Sequence, residues 1–234
     1  MKFSYPPRWS EITTLFGGRF DPPHLGHRQA VRSLFEFPGV KEVLIIPSAA
    51  PPHKSTWAPS HHRAEMARLG FLPTVSDPYY PKNIHFDLRE INRHIEDPQQ
   101  LSYSFHTLQE LQPLHSSLAF VIGVDQLIDL PTWYRFPEIL GLCHWFVLKR
   151  KPFHPEAIIP TLSHWSSSGL IRQVSSEGWQ INRSPYSLTL IPTEAPQISS
   201  TKIRESIALT GQAATGTLLP EVESYLKKNK LYGI

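Results

Sequence analysis

The run Leu118-Ala119-Phe120-Val121-Ile122 contains no polar side chain. It is too short for a helix and too uniformly apolar for a strand with one wet face. It fits a strand buried on both faces of a parallel sheet. Five more short β-rich runs accompany it, at residues 12–16, 43–46, 84–87, 145–148 and 188–191. Helical spacing of apolar residues fills the intervals 26–35, 61–71 and 104–111, and a shorter helix is expected over 133–140, interrupted by Pro137. Strands alternating with helices imply βαβ units and an α/β fold, a doubly wound and mostly parallel sheet with flanking helices. Such sheets bind ligands beyond the carboxyl ends of their strands, where the strand order reverses.

Composition excludes several classes. Cys143 is the only cysteine, so neither an intrachain disulfide nor a multi-cysteine zinc site can form, which fits a reducing, cytoplasmic setting. No run of eighteen apolar residues exists, so no membrane-spanning helix is expected, and residues 1–10 hold no apolar run of signal-peptide length. The charge is mild, 23 basic against 20 acidic residues. Lys149-Arg150-Lys151 and Lys227-Lys228 read as solvated loop or tail charge rather than as a nucleic-acid surface. Residues 152–185, with four prolines and Ser166-Ser167-Ser168-Gly169, read as a peripheral excursion within a single domain spanning 1–234.

The chemistry concentrates after the first strand, in Gly17-Gly18-Arg19-Phe20-Asp21-Pro22-Pro23-His24-Leu25-Gly26-His27. Paired glycines at a strand end let the backbone turn sharply and approach a ligand. His24 and His27 stand three apart where the next helix starts, so both lie on one face, with Gly26 leaving room for a bulky group between them. Helix N-terminal amides favour an anion there, and imidazole N–H groups add donors. The plainer reading is a helix cap at His24 and an exposed His27. Metal binding fits poorly, because the spacing is not the usual four and only Asp21 offers a nearby carboxylate.

A second candidate is Ile198-Ser199-Ser200-Thr201-Lys202-Ile203-Arg204. Ser199 or Ser200 is a natural N-cap, and Arg204 lies one turn inside, able to reach an anion at the helix start. Taken alone this is an ordinary capped surface helix.

Together the two segments resemble the nucleotidyltransferase superfamily with the H-x-G-H and I-S-S-T-x-I-R motifs, which transfers a nucleotidyl group from ATP. No Walker A loop occurs. Three middle segments, 47–54, 102–108 and 120–135, narrow the resemblance to the bacterial nicotinate-nucleotide adenylyltransferases. It covers about residues 12–145 and resumes from 188 to the end, thinning between 152 and 185. It implies a Rossmann-like fold, with ATP and nicotinate mononucleotide as partners and Mg²⁺ arriving on the ATP phosphates.

By position in those motifs, His24, His27 and Arg204 are the catalytic candidates. The implied ATP contacts are Gly17, Gly18, Phe20, Gly26, Gly123, Asp125, Ser199, Ser200 and Thr201, besides those three. Lys54, Tyr103, Ser104, Trp133 and Tyr134 are the implied nicotinate-nucleotide contacts, Trp133 by stacking on the pyridine ring. Arg19 stands where the family more often carries threonine or serine, and Ser104 replaces a threonine. Other readings are adenylyl transfer to nicotinamide mononucleotide or phosphopantetheine, or a non-catalytic nucleotide-binding regulator.

Overall fold

All six apolar runs become strands that pair in parallel, and the sheet is built around them. The computed structural model describes residues 11–50, 57–75, 77–150 and 152–234. The strands are β1 (Ile12–Gly18), β2 (Val40–Pro47), β3 (Ile84–Phe86), β4 (Leu118–Gly123), β5 (His144–Arg150), β6 (Ile171–Ser175), β7 (Gly178–Ile181) and β8 (Ser187–Thr193). Their order across the sheet is β3-β2-β1-β4-β5-β8-β7-β6. β3, β2, β1, β4, β5 and β8 are parallel, whereas β7 and β6 add an antiparallel edge. The chain leaves β1 toward β2 on one side and returns to β4 on the other. The order therefore reverses between β1 and β4, opening a crevice at their carboxyl ends.

The helices are α1 (Leu25–Leu34), α2 (Ser60–Phe71), α3 (Arg89–Glu96), α4 (Ser104–Leu111), α5 (Val124–Asp129), α6 (Ile159–Ser167), α7 (Ser200–Thr210) and α8 (Pro220–Lys228). Strand alternation divides the core into two layers. Leu118, Phe120 and Ile122 of β4 join Trp145, Val147, Leu188 and Leu190 under α4 and α6. Ala119 and Val121 face the other way, with Phe146 and Leu148, under α1 and α2. A third cluster, Met66, Ile203, Ile207, Val222 and Leu226, clamps α7 and α8 onto α2. Both sheet faces are covered, which is why the central strands carry no wet side.

Three expectations change. No helix forms over 133–140. The chain makes a 3-10 turn at Leu130–Thr132, then open turns with Arg135 at φ 64°, then a second 3-10 turn at Glu138–Leu142. Proline at 137 withholds an N–H and disfavours helical geometry in the residue before it, so the helical pattern cannot propagate. Residues 152–185 are also more than a peripheral excursion. They supply α6 and the β6–β7 hairpin, and Trp165, Leu162 and Trp179 sit in the same core as β4 and β5. Lys227 and Lys228, read as tail charge, form the last turn of α8, where cations suit the helix dipole.

Trp165 is 1% exposed and packs against Phe136 at a ring separation of 5.4 Å. Trp165→Ala is expected to cost about 3–5 kcal/mol of stability by urea denaturation. An unchanged midpoint would show that residues 152–185 are not part of the cooperative core.

Candidate active site

A cavity of about 550 Å³ opens at the β1–β4 crevice. Its floor is the carboxyl ends of β1 and β4, and its walls are the loops that follow them. At the end of β1, a methyl group on Gly18 would lie 2.9 Å from the Phe20 ring, so only glycine lets that ring fold back. Phe20 itself holds φ 51° and is buried against Phe16, Phe71 and His27. Gly17, Gly18, Phe20, His24 and His27 all reach the cavity wall.

His24 is the N-cap of α1, and the two histidines cap reciprocally. The His27 backbone N–H donates to His24 Nδ1 at 3.2 Å, and the His24 backbone N–H donates to His27 Nδ1 at 3.3 Å. This is a capping box made entirely of imidazoles. Because both Nδ1 atoms accept from backbone donors, the neutral rings must carry hydrogen on Nε2. The rings stack face to face, centroids 3.6 Å apart and 14° from parallel. Nothing fits between them. Gly26 serves another end: a side chain there would meet the Pro196 carbonyl at 2.7 Å and the His24 ring at 3.1 Å. His24 thus caps α1 and lines the cavity at once.

Burial, reinforced by the charge of Arg150, pushes the His24 pKa down to about 3. His27 is lowered for the same first reason, with His24, Arg150 and Arg19 adding to it. Both are neutral hydrogen-bond donors at pH 7.

Asp21 holds this loop. Its buried carboxylate accepts from the backbone N–H groups of Trp57 (2.8 Å) and Ala58 (3.1 Å) and from the Tyr232 hydroxyl (2.7 Å). Arg63, 1% exposed, ties the loops after β1 and β2 together by donating to the carbonyls of Arg19, Ser48, Ala49 and Ala58. None of these ties was expected from the sequence, because all but the Tyr232–Asp21 bond depend on a backbone carbonyl or amide that any residue could supply, and that bond joins residues 211 positions apart.

The start of α7 closes one side. Ser199 is its N-cap residue but makes no side-chain cap, and the Ser200 hydroxyl donates instead to the Pro22 carbonyl at 2.8 Å. The first amides of α7 therefore open toward the cavity beside Ser199, Ser200 and Thr201, which line it. Arg204 lies behind this wall. Its Nη1 donates to the Asp21 carbonyl at 2.6 Å and its Nη2 to Thr201 Oγ1 at 3.2 Å. Opposite, Gly123 ends β4, and a side chain there would strike the Asp125 carboxylate. Gly123 N–H donates to Gln126 Oε1 at 2.9 Å, capping α5.

The far end of the cavity is aromatic. Trp133 packs edge-on against Phe120 (6.1 Å) and Trp145 (6.4 Å), fixing its plane. Tyr103 and Tyr134 tilt together at 4.7 Å. Tyr103 is the N-cap of α4 without a side-chain cap, and it lines the wall beside Ser104. Glu90, missed from the sequence, is a buried carboxylate here, accepting from Thr107 Oγ1 at 2.8 Å and pushed up in pKa by its burial. Lys54 lies outside the described residues.

A model of the cytidylyltransferase-like family matches residues 15–206. A probable nicotinate-nucleotide adenylyltransferase of Pseudoalteromonas atlantica is 33% identical over 93% of this chain and 93% of its own. The nicotinate-nucleotide adenylyltransferase of Bacillus subtilis is 30% identical over 93% of this chain and 96% of its own. The chain belongs to the nicotinate-nucleotide adenylyltransferases of the cytidylyltransferase-like family. Plasmodium falciparum nicotinic acid mononucleotide adenylyltransferase, solved in complex with NaAD, shares the fold with a TM-score of 0.68 at 18% identity, covering 95% of this chain and 97% of that one. In this adenylyltransferase the paired histidines, the α7 start and the aromatic end meet in one cavity, although they come from positions nearly 180 residues apart.

Two outcomes follow from this geometry. His27→Ala removes one preorganised donor and one half of the capping box, and kcat should fall on the order of 10²-fold or more while the fold survives. Normal turnover would take His27 out of the chemistry. Because His24 is neutral in the native state down to about pH 3 but binds a proton near 6.5 when unfolded, stability is full above 6.5 and declines as pH falls. His24→Asn, which retains a capping side chain, should flatten the fall in Tm between pH 6.5 and 5. A slope equal to that of the unaltered protein would contradict the buried neutral imidazole.

Proposed function

We propose that this chain transfers AMP from ATP to nicotinate mononucleotide, forming deamido-NAD and pyrophosphate. The observation that carries this reading is the pairing of two uncapped helix starts in one cavity. That of α7 lies beside the histidine pair, and that of α4 beside Trp133. Each helix start presents N–H donors to an anion, the first to phosphate and the second to the nicotinate carboxylate.

A phosphate oxygen of nicotinate mononucleotide attacks the α-phosphorus of ATP in line. A new P–O bond forms as the bond from that phosphorus to the bridging oxygen breaks, and pyrophosphate leaves with the electron pair. The attacking phosphate is already ionised at neutral pH, so no general base is needed, and catalysis reduces to positioning and charge stabilisation. The Nε2–H groups of His24 and His27 donate to phosphate oxygens as charge shifts onto them. Gly17 and Gly18 let the backbone come close, Gly26 leaves room for the His24 ring and the Pro196 carbonyl, and Phe20 backs His27. Ser199, Ser200 and Thr201 present the α7 amides. Arg204 acts through the Asp21 carbonyl and Thr201, holding that turn against the loop after β1. Gly123 and Asp125 receive the ribose or adenosine hydroxyls. Trp133 stacks on the pyridine ring, while Tyr103, Ser104 and Tyr134 border its carboxylate, with Lys54 a further phosphate contact.

Among the described residues no group of three or more His, Cys, Asp or Glu could hold a metal ion. The Mg²⁺ we infer would arrive on the ATP phosphates and neutralise charge on their oxygens. No helix among the described residues is long and apolar enough to cross a membrane. With Cys143 as a lone buried thiol, a reducing cytoplasm is the setting we infer.

The test is pyrophosphate release by purified protein given ATP and either nicotinate or nicotinamide mononucleotide. Donor-only amides at the α4 start suit a carboxylate, whereas a carboxamide turns its own N–H₂ toward them. Selectivity for nicotinate mononucleotide should reach on the order of 10³-fold in kcat/KM. Trp133→Ala should raise KM for both substrates and leave the preference intact. Comparable kcat/KM for the two would defeat the carboxylate assignment, and no release with either would defeat the reaction itself.

A further inference from the structure

Two buried arginines stand beside one carboxylate and donate to carbonyls instead. Asp21 is 1% exposed, and its charge acts on Arg63. Arg204, also buried, comes close enough to donate to the Asp21 backbone carbonyl at 2.6 Å. A guanidinium favours a carboxylate over a carbonyl, because both partners are then charged and two parallel bonds can form. Arg63 nevertheless donates to the carbonyls of Arg19, Ser48, Ala49 and Ala58, and Arg204 to the Asp21 carbonyl and Thr201.

What fills the carboxylate is a phenol. Oδ2 of Asp21 accepts from the Trp57 N–H, while Oδ1 accepts from the Ala58 N–H and from the Tyr232 hydroxyl at 2.7 Å. The backbone that delivers this hydroxyl is strained. Tyr232 holds φ 61° and Lys230 φ 52°, a region that bulky side chains rarely enter. Such conformations persist only where surrounding contacts over-determine them. Here Leu231, between the two, is buried with Ile203, Ile207, Val222 and Leu226, which pins the turn. Burial, then the bond to Asp21, raises the phenol pKa far above its ordinary value against the opposing charges of Arg204 and Arg63. Tyr232 therefore stays a neutral donor.

We propose that Tyr232 is a positioning residue of the active site: its neutral hydroxyl occupies the Asp21 carboxylate and so keeps Arg63 and Arg204 on the carbonyls that hold the loop after β1. Those carbonyl bonds set the geometry around the histidine pair. Arg204 holds the start of α7 against that loop, and Arg63 joins it to the loop after β2. Without the hydroxyl, Asp21 keeps its two amide donors, but an open lone pair on Oδ1 invites a guanidinium. Capture of Arg204 would release the Asp21 carbonyl and Thr201, and the α7 amides would lose their register with His24 and His27. None of these bonds reaches α4 or Trp133. The inference deepens the adenylyltransferase reading and rests on it for the reaction that the loop serves.

The test is Tyr232→Phe in the full chain, which removes the hydroxyl and keeps the ring. Its kcat for deamido-NAD formation should fall about tenfold or more, with KM for nicotinate mononucleotide unchanged. Para-aminophenylalanine in place of Tyr232 restores a neutral donor and should recover most of the loss. Val222→Ala thins the same apolar cluster without touching the bond, so it should lower Tm and leave kcat at the unaltered value. A crystal structure of Tyr232→Phe should show Arg63 or Arg204 on the Asp21 carboxylate. Unchanged kcat in Tyr232→Phe, no recovery with the amine, or an equal fall in Val222→Ala would overturn the proposal. So would both guanidinium groups still on their carbonyls, a result that does not depend on turnover. Failure of the adenylyltransferase reading would show elsewhere, as absence of deamido-NAD formation by the unaltered protein.

Discussion

The reciprocal cap between His24 and His27 is the contact on which the site depends. Each imidazole spends its Nδ1 on the other residue's backbone N–H, and the rings stack at 3.6 Å. One pair of side chains therefore performs three tasks. It satisfies two orphan donors at the start of α1, fixes each ring's orientation, and commits each Nε2–H to the cavity. The surrounding structure keeps this arrangement in place. Phe20 presses edge-on against His27, and Asp21 anchors the intervening loop to residues 57–58 and to Tyr232. The loop after β1 is rigid because distant parts of the chain, α7 and the C-terminal turn among them, are bound to it.

Electrostatics then explain why histidine suits these positions. In a buried site edged by guanidinium groups, a protonated imidazole would face both desolvation and like-charge repulsion. Both rings are held neutral, and a neutral imidazole remains a good N–H donor. The open amides at the starts of α7 and α4 add further donors along the same cavity wall. The arrangement needs no proton to move during phosphoryl transfer, which agrees with an attacking phosphate that is already ionised.

Much of the fold was legible from particular residues. Uniform apolar runs such as Leu118–Ile122 announced the central parallel strands, because burial on both faces leaves no place for polar side chains. What escaped were elements lacking that signature. β6 is an edge strand whose Arg172, Gln173, Val174 and Ser175 are exposed, and its Ser176-Glu177 turn lacks the Asn-Gly type of signal. α3 is eight residues long with Ile91 and Ile95 as its only apolar side chains, too few to show a stripe. Helical spacing over 133–140 misled, since Pro137 and the left-handed Arg135 break the ladder. At the site, the two motifs put His24, His27, Gly17, Gly18 and Ser199–Thr201 on the wall of one cavity. They did not reveal that Arg204 points to a backbone carbonyl, that the imidazoles stack on one another, or that Arg150 and Glu90 line the cavity. Those facts depend on backbone amides and carbonyls and on burial, which no side-chain pattern records.

The central claim is that both imidazoles are neutral and hydrogenated on Nε2. It is tested most directly by ¹⁵N NMR of imidazole-labelled protein, reading the Nδ1 and Nε2 shifts of His24 and His27 between pH 5 and 8. The account requires a pyrrole-type Nε2 and a pyridine-type Nδ1 for both residues, constant across that range. Titration of either ring near pH 6.5, or hydrogen on Nδ1, would contradict it.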